Sequence, residues 1–182
     1  MTAYRFDVPP EHALLTLADA SGGLSALFAF DAHMAHHLAW LNEAAEGLGY
    51  RTEEDEEMKD TRAIAAAQTE PIRALRTELA ELAADAEAQL PPDVAWKADI
   101  VSEQPLPPLP DTLGPKELAH VERSFRDGMS KHLIAACDSL GPLAERLRGF
   151  EDEECRSLAD RTAAFVVSIR GPGPGPEAAV QP

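Results

Sequence analysis

The segment FDAHMAHHLAW, residues 30–40, places an aspartate and three histidines within seven positions. His33 and His37 are four residues apart, so on a helix both imidazoles point to the same side and can reach one metal ion. His36 points away from the apolar stripe of that helix, and Asp31 borders the stripe on its other flank. Two histidines are too few for zinc, because a structural site takes four protein ligands and a catalytic one usually takes three.

Further ligands would have to come from later helices. His132 falls on the apolar stripe of its helix and His120 falls nearly opposite, so the two cannot serve one ion. One hypothesis is a zinc or iron site with these ligands: His33, His37 and His132, joined by Asp31 or Glu154. The competing interpretation is a partly buried histidine pair beside Trp40, with His132 hydrogen-bonded in the core.

The chain resembles hemerythrin-like and DinB-like domains in architecture, since these metal-binding helical bundles carry histidines on several helices. DinB-like enzymes typically carry a His-x-x-x-His motif on a late helix. Here that spacing occurs only at His33 and His37, on an early helix. The resemblance therefore implies a helical bundle and supplies no ligand set.

A second candidate for chemistry lies near the C-terminal end, where Glu154 and Arg161 index onto an apolar stripe. Buried charges need partners, so we expect Glu154 or Arg161 to pair with a side chain on another helix, unless the stripe is exposed there. The alternative is that Glu154 is a catalytic carboxylate. Cys137 and Cys155 lack a Cys-x-x-Cys spacing, which indicates a reducing compartment and no structural zinc. Only Arg156 could activate either thiol.

The composition predicts an all-α fold. Apolar residues make up 45% of the chain and aromatic residues 5%, alanine is abundant, and clusters of strand-favouring residues are nearly absent. We expect a helical bundle of four to five helices with a long proline-rich crossover and a disordered C-terminal tail. No stretch is expected to reach the length of a membrane-spanning helix, and the first residues do not resemble a secretory signal.

Glycine and proline mark the predicted domain boundaries. Residues 1–23 are predicted to form an N-terminal arm and a short helix, and residues 24–170 the helical bundle. Within the bundle, residues 91–114 are a proline-rich linker that can carry the chain from one end to the other. Residues 171–182 are a flexible Gly/Pro tail.

Three further breaks between helices are predicted within these boundaries. The triplet SGG at residues 21–23 is expected to end a first helix over residues 11–20. Pro71 predicts a kink or a restart near residues 68–70, and Pro142 predicts the start of a fifth helix.

The formal net charge of −16, with a pI near 4.6, restricts the function classes. This charge repels phosphate backbones and anionic membranes, so nucleic acid and membrane are not expected as partners, whereas a basic protein is favoured. The chain has no glycine-rich phosphate loop, serine elbow or nucleotide fingerprint, and no complete catalytic constellation can be assembled.

We therefore expect a cytoplasmic, non-catalytic protein that binds another protein as an adaptor or assembly factor, without a cofactor. The alternative is a metal- or cofactor-binding bundle that uses histidines on two helices.

Overall fold

The computed structural model describes Tyr4 and residues 9–47, 56–93 and 115–171. In these residues the chain forms four α-helices and no strand: α1 (Pro10–Gly47), α2 (Glu56–Ala88), α3 (Pro115–Arg148) and α4 (Glu153–Arg170). The predicted all-α bundle is confirmed, with four helices. The proline-rich linker from residue 94 onward and the tail after Gly171 lie outside the described residues.

Each helix packs against two others. α1 lies against α2 and α3, α4 lies against α3, and α2 meets α4 along a short contact. Between α1 and α3, Arg146 donates a hydrogen bond to Asp19, and the ring of His33 lies against the ring of His132. The earlier residue of α1 thus contacts the later residue of α3, so these two helices are antiparallel. Across α3 and α4, Arg170 pairs with Asp138 and Arg148 pairs with Asp160, which makes this pair antiparallel as well.

α1 and α2 are also antiparallel. The backbone N–H of Tyr4, just before α1, donates to Asp85 near the end of α2 at 2.8 Å, whereas Asp31 further along α1 pairs with the earlier Arg76. α2 and α3 therefore run in the same direction at opposite corners of the bundle. The chain leaves α2 at one end of the bundle and enters α3 at the other.

The core is formed by leucines from all four helices. Those with no exposed surface are Leu27, Leu79, Leu82, Leu140, Leu143, Leu147 and Leu158. Burying each such side chain contributes about 1.5–3 kcal/mol. The apolar residues of α2 that recur with the helical period are all buried: Ile72, Leu75, Leu79, Leu82 and Ala86.

The predicted helix end at residues 21–23 is wrong, because α1 continues through SGG without a break. The two glycines lie where α1 packs closely on α3. A Cβ on Gly22 would lie 2.6 Å from Ser139 Oγ, and one on Gly23 would lie 2.4 Å from Leu140 Cδ2. Close packing of α1 on α3 thus offsets the roughly 1 kcal/mol that a helical glycine costs.

The restart that was predicted at Pro71 as the alternative to a kink, and the helix start that was predicted at Pro142, are also wrong. α2 is one unbroken helix through Pro71, and α3 is one unbroken helix through Pro142. Both prolines are solvent-exposed, whereas the adjacent Ile72 and Leu143 are buried. Burial of the apolar residues before and after each proline outweighs the roughly 3 kcal/mol that an interior proline costs a helix.

The last break in the bundle instead lies at residues 149–152, between α3 and α4. Asp152 Oδ1 accepts hydrogen bonds from the backbone N–H groups of Glu154 at 2.9 Å and Cys155 at 3.0 Å. Asp152 is therefore the N-cap of α4, and Glu153 and Glu154 occupy the first turn, where the helix dipole favours negative charge.

The expectation that no helix is long enough to span a membrane is corrected by α1. Among the described helices, the segment Glu11–His37 has that length and composition, with a mean hydropathy of 1.5. A core helix of a bundle meets the same criteria, and Leu17, Leu27 and Met34 of this segment lie in the core.

Candidate functional site

Two of the predicted metal ligands meet between α1 and α3. The ring centroids of His33 and His132 are 4.8 Å apart, with the ring planes inclined at 58°. Gly128, one turn before His132 on α3, leaves room for this arrangement, because a Cβ there would lie 2.8 Å from Nε2 of His33. Both imidazoles are half-buried.

A third ligand does not join this pair. Among the described residues no three His, Cys, Asp or Glu side chains are grouped so that they could hold a metal ion. Asp31 instead accepts a hydrogen bond from Arg76 Nη1 at 2.6 Å. Glu154 is exposed on α4, which does not touch the described part of α1. The structure thus brings His33 and His132 together and directs the two carboxylates elsewhere.

Burial lowers the pKa of both paired histidines below the ordinary value of 6.5. For His33 the positive charge of His36 adds to the effect and a hydrogen bond to the Ala29 backbone opposes it. For His132 the charges of His33 and Lys131 add to it. The pair therefore favours the neutral imidazole, which is the form that accepts a hydrogen bond or binds a metal.

We predict that the free energy of unfolding decreases as the pH falls from about 7.5 to about 5.5. The unfolded chain, with ordinary histidine pKa values, takes up protons first, so the stability contributed by these neutral groups is present above pH 6.5 and is lost as the pH falls toward their folded pKa values. Urea unfolding at the two pH values measures the difference.

The matched variants for this test are His132→Gln and His12→Gln. His12 is exposed on α1. The decrease with pH should be smaller in His132→Gln than in the unmodified protein and unchanged in His12→Gln. Equal decreases in all three proteins would contradict the prediction.

A groove between α1 and α2 forms a second candidate site. Its volume is about 600 Å³, and its lining residues are Phe28, Arg73, Arg76, Thr77, Ala80, Glu81 and Ala84. The Phe28 side chain is 51% exposed, and the guanidinium carbon of Arg76 lies 3.8 Å from the centre of its ring. Asp31 holds Arg76 in this position through their 2.6 Å hydrogen bond. We call this arrangement the α1/α2 groove.

The expectation for Arg161 is confirmed. Its Nε and Nη2 atoms both donate to Glu78 Oε2 on α2, at 2.9 Å and 2.6 Å, and Nη1 donates to Ser157 Oγ at 2.7 Å. Arg161 therefore forms a contact between α4 and α2. Because its side chain is 51% exposed, the stripe reaches solvent at this position.

Both cysteines are buried free thiols. Burial raises the pKa of Cys137, and it raises the pKa of Cys155 to about 12 with the help of the Asp152 charge. The guanidinium of Arg156 donates to the backbone carbonyls of Phe150 and Glu151 instead of approaching a thiol. Neither cysteine is poised to act as a thiolate.

The groove was not predicted from the sequence. The sign of the groove in the sequence is a large aromatic residue, Phe28, that lies off the apolar stripe containing Leu27 and Met34. A lone aromatic residue at such a position is common on protein surfaces. Only the neighbouring α2, with Arg76 above the ring, distinguishes it.

Comparisons with protein-family models, curated proteins and solved structures found no match for this chain.

Proposed function

We propose that the protein acts by binding another protein, as an adaptor or assembly factor, through the α1/α2 groove. The observation that carries the proposal is the half-exposed Phe28 ring, stacked against Arg76 at an open groove. Aromatic residues and arginine are enriched at protein interfaces and supply most of their binding energy. Arg76 is already fixed by Asp31, so little side-chain freedom would be lost on binding.

The lining of the groove indicates the chemistry of the partner. Ala80 and Ala84 provide a shallow apolar floor beside Phe28, which suits an apolar or aromatic side chain. Arg73 is exposed at the groove and can bind a carboxylate or carbonyl oxygen, and Glu81 can accept from a lysine or arginine. Beyond the groove, the charge of −16 favours a partner that is basic overall, with an association that weakens as salt is added.

The first step of the test identifies a partner. Proteins retained from a lysate of the source cells by the full chain are identified by mass spectrometry, and the strongest candidate is purified. The affinity of the purified complex is then measured by calorimetry for the unmodified protein and for two variants, Phe28→Ala and Val167→Ala. Val167 is 50% exposed on α4, away from the groove, and serves as the matched control.

Phe28→Ala is expected to weaken binding by about 2 kcal/mol, or roughly 30-fold, because it removes the exposed ring and the face on which Arg76 stacks. Val167→Ala should change the affinity by less than about twofold. Equal losses in the two variants, or no loss in Phe28→Ala, would exclude the groove as the contact. A cytoplasmic setting belongs to the same proposal, since both cysteines are free thiols.

The second candidate function is metal binding, and the contact between His33 and His132 favours it. Elemental analysis of protein prepared without a histidine tag tests this candidate. If it is correct, the protein holds stoichiometric zinc or iron, and His132→Gln loses the metal whereas His12→Gln keeps it. Less than roughly one metal ion per ten chains, with no rise in melting temperature on adding either metal, would eliminate it, because a tight ligand stabilises the fold.

A further inference from the structure

Two methionines accompany the contact between His33 and His132. Met34 follows His33 on α1, and Met129 precedes His132 by one turn on α3. Met34 is buried in the core, and Met129 packs against the same cluster of buried residues. Thioether sulfur is a soft metal ligand, so this part of the interface between α1 and α3 holds two kinds of neutral donor, imidazole and thioether.

The register of α1 on α3 sets the two methionines opposite each other. Gly23 packs on Leu140, because a Cβ on this glycine would lie 2.4 Å from Leu140 Cδ2. Met34 comes eleven residues after Gly23 on α1. Met129 comes eleven residues before Leu140 on α3. Eleven residues make about three helical turns, so in this antiparallel pair the methionines face each other as Gly23 and Leu140 do. The thioethers therefore lie at the level of the histidine pair.

His33 is oriented as a metal ligand would be. Its Nε2 atom lies against α3, 2.8 Å from the position of a Cβ on Gly128. The backbone carbonyl of Ala29, one turn earlier on α1, accepts a hydrogen bond from the ring. Metal-binding histidines almost always donate one ring N–H to such a partner, which fixes the ring and turns the other nitrogen toward the ion.

The absence of charge on these four donors selects the ion. Asp31 is bonded to Arg76, and Lys131 adds positive charge beside His132. The free energy needed to remove an ion from water rises with its charge, so a divalent ion that gains no carboxylate or thiolate is disfavoured here. Cu(I) carries a single charge, and thioether ligands select it over zinc or iron.

We propose that His33, His132 and Met129, with Met34 as a further donor, form a Cu(I) site between α1 and α3. This inference rests on the second candidate function, metal binding, and specifies the ion. The methionines form the core side of the site. The half-buried histidines form the side that reaches solvent, from which the ion enters.

Anaerobic titration of the full chain with Cu(I), in competition with a chelator whose Cu(I) complex is coloured, tests the proposal. Stoichiometric uptake is expected. Met129→Leu conserves volume and should weaken Cu(I) binding roughly tenfold without changing the urea midpoint of the metal-free protein. His132→Gln should weaken it at least roughly 100-fold, and His12→Gln should leave it unchanged. X-ray absorption of the copper protein should show nitrogen and sulfur neighbours, with less sulfur in Met129→Leu.

The two cysteines are the competing sulfur ligands, and a variant with Cys137→Ala and Cys155→Ala controls for them. It should bind Cu(I) as tightly as the unmodified protein. Loss of copper in this variant, or an unchanged affinity in Met129→Leu, would overturn the proposal. Stoichiometric zinc or iron without uptake of Cu(I) would overturn the choice of ion while metal binding stands. Uptake of none of these metals would overturn both.

Discussion

Gly23→Val is expected to lower the free energy of unfolding by about 1–3 kcal/mol. A Cβ at this position would lie 2.4 Å from Leu140 Cδ2 and 2.9 Å from its Cγ, and Leu140 has no exposed surface into which it could move. The gain in helix propensity from replacing glycine is smaller than this overpacking cost. Urea unfolding followed by circular dichroism measures the change.

Ala35→Val is the control for this substitution. Ala35 is exposed on the same helix, so a larger side chain meets no neighbour there, and the change should stay within about 0.5 kcal/mol. If the SGG triplet ended a helix in a loop, Gly23→Val would be tolerated as well as Ala35→Val. Equal stabilities of the two variants would therefore argue against the close contact of α1 and α3.

Leu140→Ala is expected to lower the free energy of unfolding by about 2–5 kcal/mol. Leu140 is fully buried on α3 and packs on Gly23 of α1, so truncation removes apolar contacts from the interface that joins two helices of the core and leaves a cavity there. Thermal and urea unfolding report the loss.

Ile134→Ala is the control on the same helix. Ile134 is 51% exposed, so its truncation should cost less than about 1 kcal/mol. The double variant Gly23→Val with Leu140→Ala gives a sharper test, because the valine can occupy part of the space that Leu140 leaves. Its destabilisation should be smaller than the sum of the two single effects. Strict additivity would show that the two residues do not touch.

The two candidate sites use the same helix in different ways. His33 lies where α1 faces α3, and Phe28 lies where α1 faces α2. A variant at one position can therefore be tested without disturbing the other, so metal binding and partner binding can be separated in a single set of proteins.

Local sequence alone determined the helical class and much of the core. The spacing of Ile72, Leu75, Leu79 and Leu82 repeats with the helical period, so one face is apolar whatever it packs against, and all four are buried. The start of α3 at Pro115 also agrees with a local signal, because proline at the first helical position loses no hydrogen bond.

Tertiary structure decided at which residues a helix continues through a local stop signal. It also decided which side chains contact each other. Gly23, Pro71 and Pro142 each weaken a helix by about 1–3 kcal/mol, which is less than the packing of the adjacent stripes supplies, so the helices continue through them. The contacts of His33 with His132 and of Phe28 with Arg76 join residues far apart in the chain. They depend on which helices are neighbours and how each is rotated, and these are properties of the assembled core that no local pattern encodes.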